Sequence, residues 1–129
     1  MLSSDVNSAY DPNYASVSEK KNTAYFGKGV AFIKYTGSRG KAGSNDASAE
    51  YIAKLRKIMD DAGVIYQTAE LGRVDAGGGG TIAYIMGNYG MNVIDSGVGV
   101  QNMHAPYEVI SKVDLYEAYR SYKVFLEKC

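Results

Sequence analysis

Four consecutive apolar residues, Val30-Ala31-Phe32-Ile33, set the strongest limit on how this chain can fold. A strand with one wet face alternates polar and apolar side chains, so an unbroken apolar run needs a layer of structure on each side. The expected strand covers 29–35. Around it, strands and helices alternate. A helix is expected over 47–61, capped by Asn45 or Asp46. Ile52, Leu55, Met59 and Ala62 recur at helical spacing on its inner stripe, and Gly63 fits the left-handed position that ends it. A second strand is expected over 64–68. A short helix over 81–89 places Ile82, Ile85 and Met86 inward and stops at Gly90. A third strand spans 91–96. The last helix spans 112–128, with Leu115, Ala118, Tyr122 and Phe125 on one face. Ser111 and Asp114 resemble a capping box with Asp in place of the usual Glu. Tyr116, Tyr119 and Tyr122 read as amphipathic packing with their hydroxyls in water.

This alternation predicts an α/β fold, a layered sheet with helices on its faces. The crossovers are long enough for parallel pairing. Ligands bind at the carboxyl ends of strands in such sheets. The loops at 36–45, 70–80 and 97–106 leave strands at those ends. They carry most of the 15 glycines, which are clustered rather than spread. The stretch before residue 22 is polar, with Asp11-Pro12-Asn13 as a turn signal.

Composition narrows the partners. At 129 residues the chain fits one domain or part of a larger one, and 46% apolar residues suffice for a core. Lys and Arg number 14 and so do Asp and Glu, so no net field draws nucleic acid or an anionic membrane surface. No apolar run approaches membrane-spanning length, and residues 1–5 do not read as a secretory signal. One cysteine, Cys129, cannot staple a fold, which makes a reducing compartment, the cytoplasm, the expected location.

Few side chains stand out as chemistry. His104 is the single histidine, in the loop Asn102-Met103-His104-Ala105-Pro106. A lone loop histidine is most often an ordinary polar residue, but imidazole is also the commonest metal-binding side chain near neutral pH. Asp5 reads from spacing alone as a solvated carboxylate; one Asp and one His do not fill a tetrahedral site. Gly77-Gly78-Gly79-Gly80-Thr81 opens a helix, where free amides suit an anion or a carbonyl oxygen; the plain alternative is a tight turn. The tract is neither a phosphate-binding loop, for want of the following Lys, nor a dinucleotide fingerprint. Lys34 sits in a strand that reads as doubly buried and would then need a partner, unless it lies at the strand end facing solvent. Glu70, Arg73 and Asp75 read as solvated.

Taken in order, several stretches resemble one family. They are Ser4-Asp5, Tyr10-Asp11-Pro12-Asn13-Tyr14, Lys34-Tyr35-Thr36-Gly37-Ser38-Arg39-Gly40-Lys41 and Gly78-Gly79-Gly80-Thr81-Ile82. Val93-Ile94-Asp95-Ser96-Gly97-Val98, Met103-His104-Ala105-Pro106-Tyr107-Glu108 and Ser111-Lys112-Val113-Asp114-Leu115-Tyr116 complete the set. Together they are similar to the aspartyl aminopeptidase and vacuolar aminopeptidase I family, the eighteenth metallopeptidase family. The likeness spans essentially the whole chain and about the final third of a family member. It implies that residues 1–129 are the C-terminal part of a dizinc aminopeptidase catalytic domain, without the upstream ligands and insert domain.

The family site holds two zinc ions on five side chains. The resemblance assigns Asp5 and His104 as metal ligands, one to each ion. It leaves the first His, the bridging Asp and the Glu-Glu pair, base included, upstream, so no catalytic residue lies in this chain. Lys34 matches a lysine near the specificity pocket, and Gly79, Gly80 and Thr81 would face substrate. Peptides would be the substrates and the full-length form a homo-oligomer. Aspartyl-preferring members carry His where this chain has Ser8 and Asp11, which leaves the preferred N-terminal residue open. Two other readings compete: a catalytically dead short module that associates with full-length subunits, and an unrelated anion-binding domain built on the glycine tract.

Overall fold

A computed structural model describes residues 1–38, 42–73 and 81–129. Its strands are β1 (Leu2–Ser4), β2 (Asn7–Ser8), β3 (Val30–Ile33), β4 (Tyr35–Ser38), β5 (Ala42–Asp46), β6 (Tyr66–Ala69), β7 (Ile94–Gly97), β8 (Gly99–Gln101) and β9 (Val109–Ile110). Its α-helices are α1 (Ala49–Asp61), α2 (Ala83–Gly87) and α3 (Lys112–Lys128), and a 3-10 turn spans Pro12–Val17. The turn signal is real: the Asp11 carboxylate accepts the Asn13 N–H at 2.8 Å.

The main sheet has the order β1-β7-β3-β6. All four residues of β3 are buried, as an apolar run requires. Val30 and Phe32 join Ile94, Leu55, Met59, Ala118 and others in the main core, under α1 and α3. Ala31 belongs to the opposite face, where it packs with Ala69 and with Ala24 from the N-terminal segment. The sheet is mixed rather than all parallel. β1 pairs parallel with β7 and β3 with β6, but β7 runs antiparallel to β3. A long crossover permits parallel pairing without enforcing it. The loop expected over 36–45 is largely an antiparallel β4–β5 hairpin. Likewise β8, within the expected loop 97–106, forms a small sheet with β2 and β9.

α1 begins two residues later than expected. Ser48, not Asn45 or Asp46, accepts the Tyr51 N–H at 3.3 Å as its cap. Asn45 and Asp46 are taken by the hairpin: the Asn45 amide donates to the Val93 carbonyl at 2.9 Å, and Asp46 pairs with Lys34. The buried stripe is Tyr51, Leu55, Ile58 and Met59, with Ile52 and Ala62 at its margin. Gly63 ends the helix with φ +62°, as expected.

α2 departs further. It is five residues long, and only Ala83 is buried; Ile82 is 61% exposed and Ile85 also faces outward. Ala83 and Gly87 share a face. A Cβ on Gly87 would come within 2.9 Å of the Asn45 side chain, so the small face is the one pressed to the hairpin.

α3 docks through carboxylates. Ser111 caps it by accepting the Asp114 N–H at 3.3 Å. The Asp114 side chain does not reach back to close a capping box. It accepts the N–H groups of Gly27 and Gly29 at 2.8 and 2.7 Å. One turn on, Glu117 accepts the Ile65 N–H at 2.8 Å while Arg120 donates to Glu117 at 3.0 Å and to the Ala62 carbonyl at 2.9 Å. With this face turned inward, Leu115 is left 51% exposed, and Tyr116 and Tyr119 stack on each other outside. Tyr122 turns in, and its hydroxyl donates to the Ser96 carbonyl at 2.8 Å instead of to water.

Truncating Asp114 strands two backbone donors beside a fully buried position. Asp114→Ala is therefore expected to lower stability by about 3 kcal/mol, on the scale of hydrogen bonds to charged groups. Asp114→Asn should lose less, since one amide oxygen still accepts. Urea unfolding of the three proteins checks the order.

Candidate functional site

The candidate ligands lie beyond opposite ends of one short parallel ribbon. Asp5 lies between β1 and β2, and His104 follows β8, the parallel partner of β2. The chain at Asp5 is held by close approach: a Cβ on Gly97 would stand 1.8 Å from the Asp5 carbonyl oxygen, so only glycine fits there. The Asp5 carboxylate is exposed and one oxygen accepts the Val6 N–H at 2.8 Å. His104 is exposed in a tight turn at φ +67°, in the left-handed region that disfavours a non-glycine residue. Glu108 holds that turn by accepting the His104 N–H at 2.6 Å. Among the described residues the imidazole has no hydrogen-bond partner, and no hydrogen bond or ion pair joins it to Asp5.

A carboxylate with one uncommitted oxygen and a free imidazole are donor types that zinc accepts. They fit as two members of a ligand set. Among the described residues no group of three or more His, Cys, Asp or Glu side chains is arranged to hold a metal ion.

Lys34 lies past the end of β3, exposed and ion-paired with Asp46, so it is not the buried lysine that a longer strand would have made. Thr81 is committed to structure. Its hydroxyl donates to Asp95 at 2.9 Å and accepts the Ala83 N–H at 3.2 Å, doing the capping that Ile82 cannot do. Gly79, Gly80 and the rest of the glycine tract lie outside the described residues, as does Asp75.

Asp95 is the residue that sequence reasoning passed over. It is wholly buried in β7. Burial pushes its carboxyl above the ordinary 3.8; the hydroxyls of Ser3, Thr81 and Thr36 pull the other way, and the charge of Asp5 adds to the rise. Of these hydroxyls only that of Thr81 makes a well-formed hydrogen bond to it, at 2.9 Å; among the described residues Asp95 Oδ1 and the Ser3 hydroxyl are each without such a partner. A signal was present: one carboxylate inside the apolar run Val93-Ile94-Asp95-Ser96-Gly97-Val98 is out of place unless something requires it.

The architecture is that of known metallopeptidase structures. Crystal structures of aminopeptidase I from Clostridium acetobutylicum and of an M18-family aminopeptidase from Thermotoga maritima superpose with TM-scores of 0.92 and 0.94. Sequence identities are 63% and 48%; the matches cover 98% and 99% of this chain but 28% of each of those chains. The S. cerevisiae mApe1 dodecamer, at 20% identity and TM-score 0.75, shares the fold. Probable M18 family aminopeptidase 1 of C. acetobutylicum is 64% identical over 126 residues, and that of T. maritima is 48% identical over 128. These cover 98% and 99% of this chain, which itself spans only 27% and 28% of those relatives. The model of the aminopeptidase I zinc metalloprotease family (M18) matches residues 1–126. The chain belongs to the M18 family of zinc aminopeptidases.

Because the native carboxyl of Asp95 holds its proton to higher pH than the unfolded one, its ionisation works against folding. Its contribution is most favourable below 3.8 and falls as pH rises through the raised native value. Asp95→Asn removes this titration. The stability of the variant relative to the parent should therefore climb with pH above 3.8, read from urea unfolding at a series of pH values.

Proposed function

We propose that residues 1–129 are the C-terminal part of the catalytic domain of a zinc aminopeptidase that removes N-terminal residues from peptides. The observation that carries this is the match to the M18 family over residues 1–126, with Asp5 and His104 both exposed and both keeping donor atoms uncommitted. Asp5 and His104 would each bind one of two zinc ions. Bound zinc supplies Lewis-acid activation of a water and of the scissile carbonyl.

This chain's own part is to orient. The Val6 N–H fixes one Asp5 oxygen and leaves the other free, and Glu108 sets the turn that presents His104. Lys34 and the segment Gly79-Gly80-Thr81 would bind substrate. The Thr81 hydroxyl is already engaged by Asp95, so its contact would come through the backbone. A substrate carboxylate at Lys34 would have to compete with Asp46. The base and the remaining ligands would come from upstream polypeptide, so the isolated chain is inactive and binds zinc weakly. We assign the complete enzyme to the cytoplasm as a homo-oligomer. The alternative, a dead module that joins full-length subunits, draws on the exposed apolar side chains of α3, Val113, Leu115 and Leu126 among them.

The test assays the 129-residue chain with zinc against a panel of N-terminal aminoacyl substrates, then repeats the assay with the chain joined to the family's upstream segment. No turnover is expected from the first. In the joined protein, Asp5→Ala and His104→Ala should each lower activity by more than the roughly 10–100-fold typical of removing a group behind a metal ligand. Zinc-dependent release of N-terminal residues by the chain alone would sink this division of labour.

A further inference from the structure

Among the described residues, Asn102 and His104 are the two with positive φ that are not glycine, at +58° and +67°. Both stand in the loop that joins β8 to β9. The Ala105 N–H donates to the Asn102 carbonyl at 2.9 Å, which closes a β-turn over 102–105. Met103 keeps the ordinary sign of φ, so the turn is type II with His104 in its third position. That position needs positive φ and is normally filled by Gly or Asn. A residue with a larger side chain is strained there, and such strain persists where the side chain itself is wanted.

The turn uses the N–H of its fourth residue and leaves that of its third free. Glu108 takes it, accepting the His104 N–H at 2.6 Å. Val109, the next residue, pairs with Gln101 across the β8–β9 sheet, so Glu108 is anchored opposite the turn. Among the described residues Glu108 enters no ion pair that would draw it away. A charged acceptor makes this a stronger bond than a neutral one would.

A metal-binding histidine is usually aimed through its second ring nitrogen, by a carboxylate or a carbonyl. Among the described residues the His104 ring has no such partner. The carboxylate that could serve is spent on the His104 main chain instead.

We propose that Glu108 is the positioning residue for His104. It clamps the strained turn through the His104 N–H and so aims the imidazole while both ring nitrogens stay free. Glu108 touches neither metal nor substrate, and the clamp needs an acceptor oxygen rather than a charge. The inference deepens the aminopeptidase reading and rests on it for its purpose.

The first experiment needs neither metal nor activity. Amide exchange is read by NMR in the 129-residue chain as the parent, Glu108→Ala and Glu108→Gln. Glu108 is exposed, so both variants should fold. Exchange at His104 should quicken at least about tenfold in Glu108→Ala, the scale of one lost hydrogen bond. It should stay near the parent rate in Glu108→Gln, whose amide oxygen still accepts. Val100 and Gln101 should not change. An unchanged His104 rate in Glu108→Ala would overturn the proposal. Equal quickening at Val100 and Gln101 would make Glu108 a brace of the β8–β9 pair and overturn it too.

The second experiment measures zinc retention against a chelator in the chain joined to the family's upstream segment. Glu108→Ala should weaken retention roughly 10–100-fold, with most of the loss recovered in Glu108→Gln. A Glu108→Gln as weak as Glu108→Ala would assign the effect to charge and defeat the clamp. A parent that takes up no zinc would sink the aminopeptidase reading and this purpose together. A parent that holds zinc beside a Glu108→Ala that holds it equally well would overturn this proposal alone.

Discussion

The two hydrogen bonds from Gly27 and Gly29 to Asp114 organise the molecule. They fix where the last helix crosses the loop that leads into the central strand, and a buried carboxylate tolerates no other arrangement once those donors are there. Glu117 does the same for the backbone at Ile65, before β6. Gly29 makes this possible. A Cβ there would meet the Ile65 carbonyl oxygen at 2.0 Å, and its φ of +83° is one that other residues avoid. The two parallel strands β3 and β6 thus share one anchored entrance, and α3 lies across it.

The opposite face of the sheet is built on smallness. Ala24, Ala31 and Ala69 pack there, and Gly97 admits the Asp5 carbonyl. Thin side chains let the N-terminal segment lie close against the sheet, which brings β1 beside β7 and carries Asp5 to the rim. In the same layer Asp95 is wholly buried. The sheet therefore has an apolar face that holds the helices and a thin, partly polar face that holds the N-terminal segment.

Much of this was legible in residue order. The unbroken run Val30 to Ile33 demanded two covered faces, and both are covered. Gly63 ended α1 where a left-handed residue was needed, and Ser111 capped α3. The family resemblance named Asp5 and His104, and family membership followed from the match to residues 1–126. Illegible were contacts that compete with local preference. Asn45 was a good cap for α1 until Val93 offered its carbonyl. Ile82 and Ile85 had helical spacing, yet Gly87 and Ala83 made the closer contact with the hairpin. Lys34 was placed in a longer strand than the one that forms, and Asp46 claims it at the end.

Residue order alone determined that this chain is layered α/β and where α1 and α3 stop, because periodicity and glycine φ are local properties; Asp5 and His104 became metal candidates only through the family resemblance. Tertiary structure alone decided that β7 runs against β3, that Asp114 faces the loop before β3 and not its own helix start, and that Asp95 stands among three distant segments. Each of those outcomes is a choice between partners for one polar group. Such a choice is made only when chain segments distant in sequence are close enough to offer the better bond.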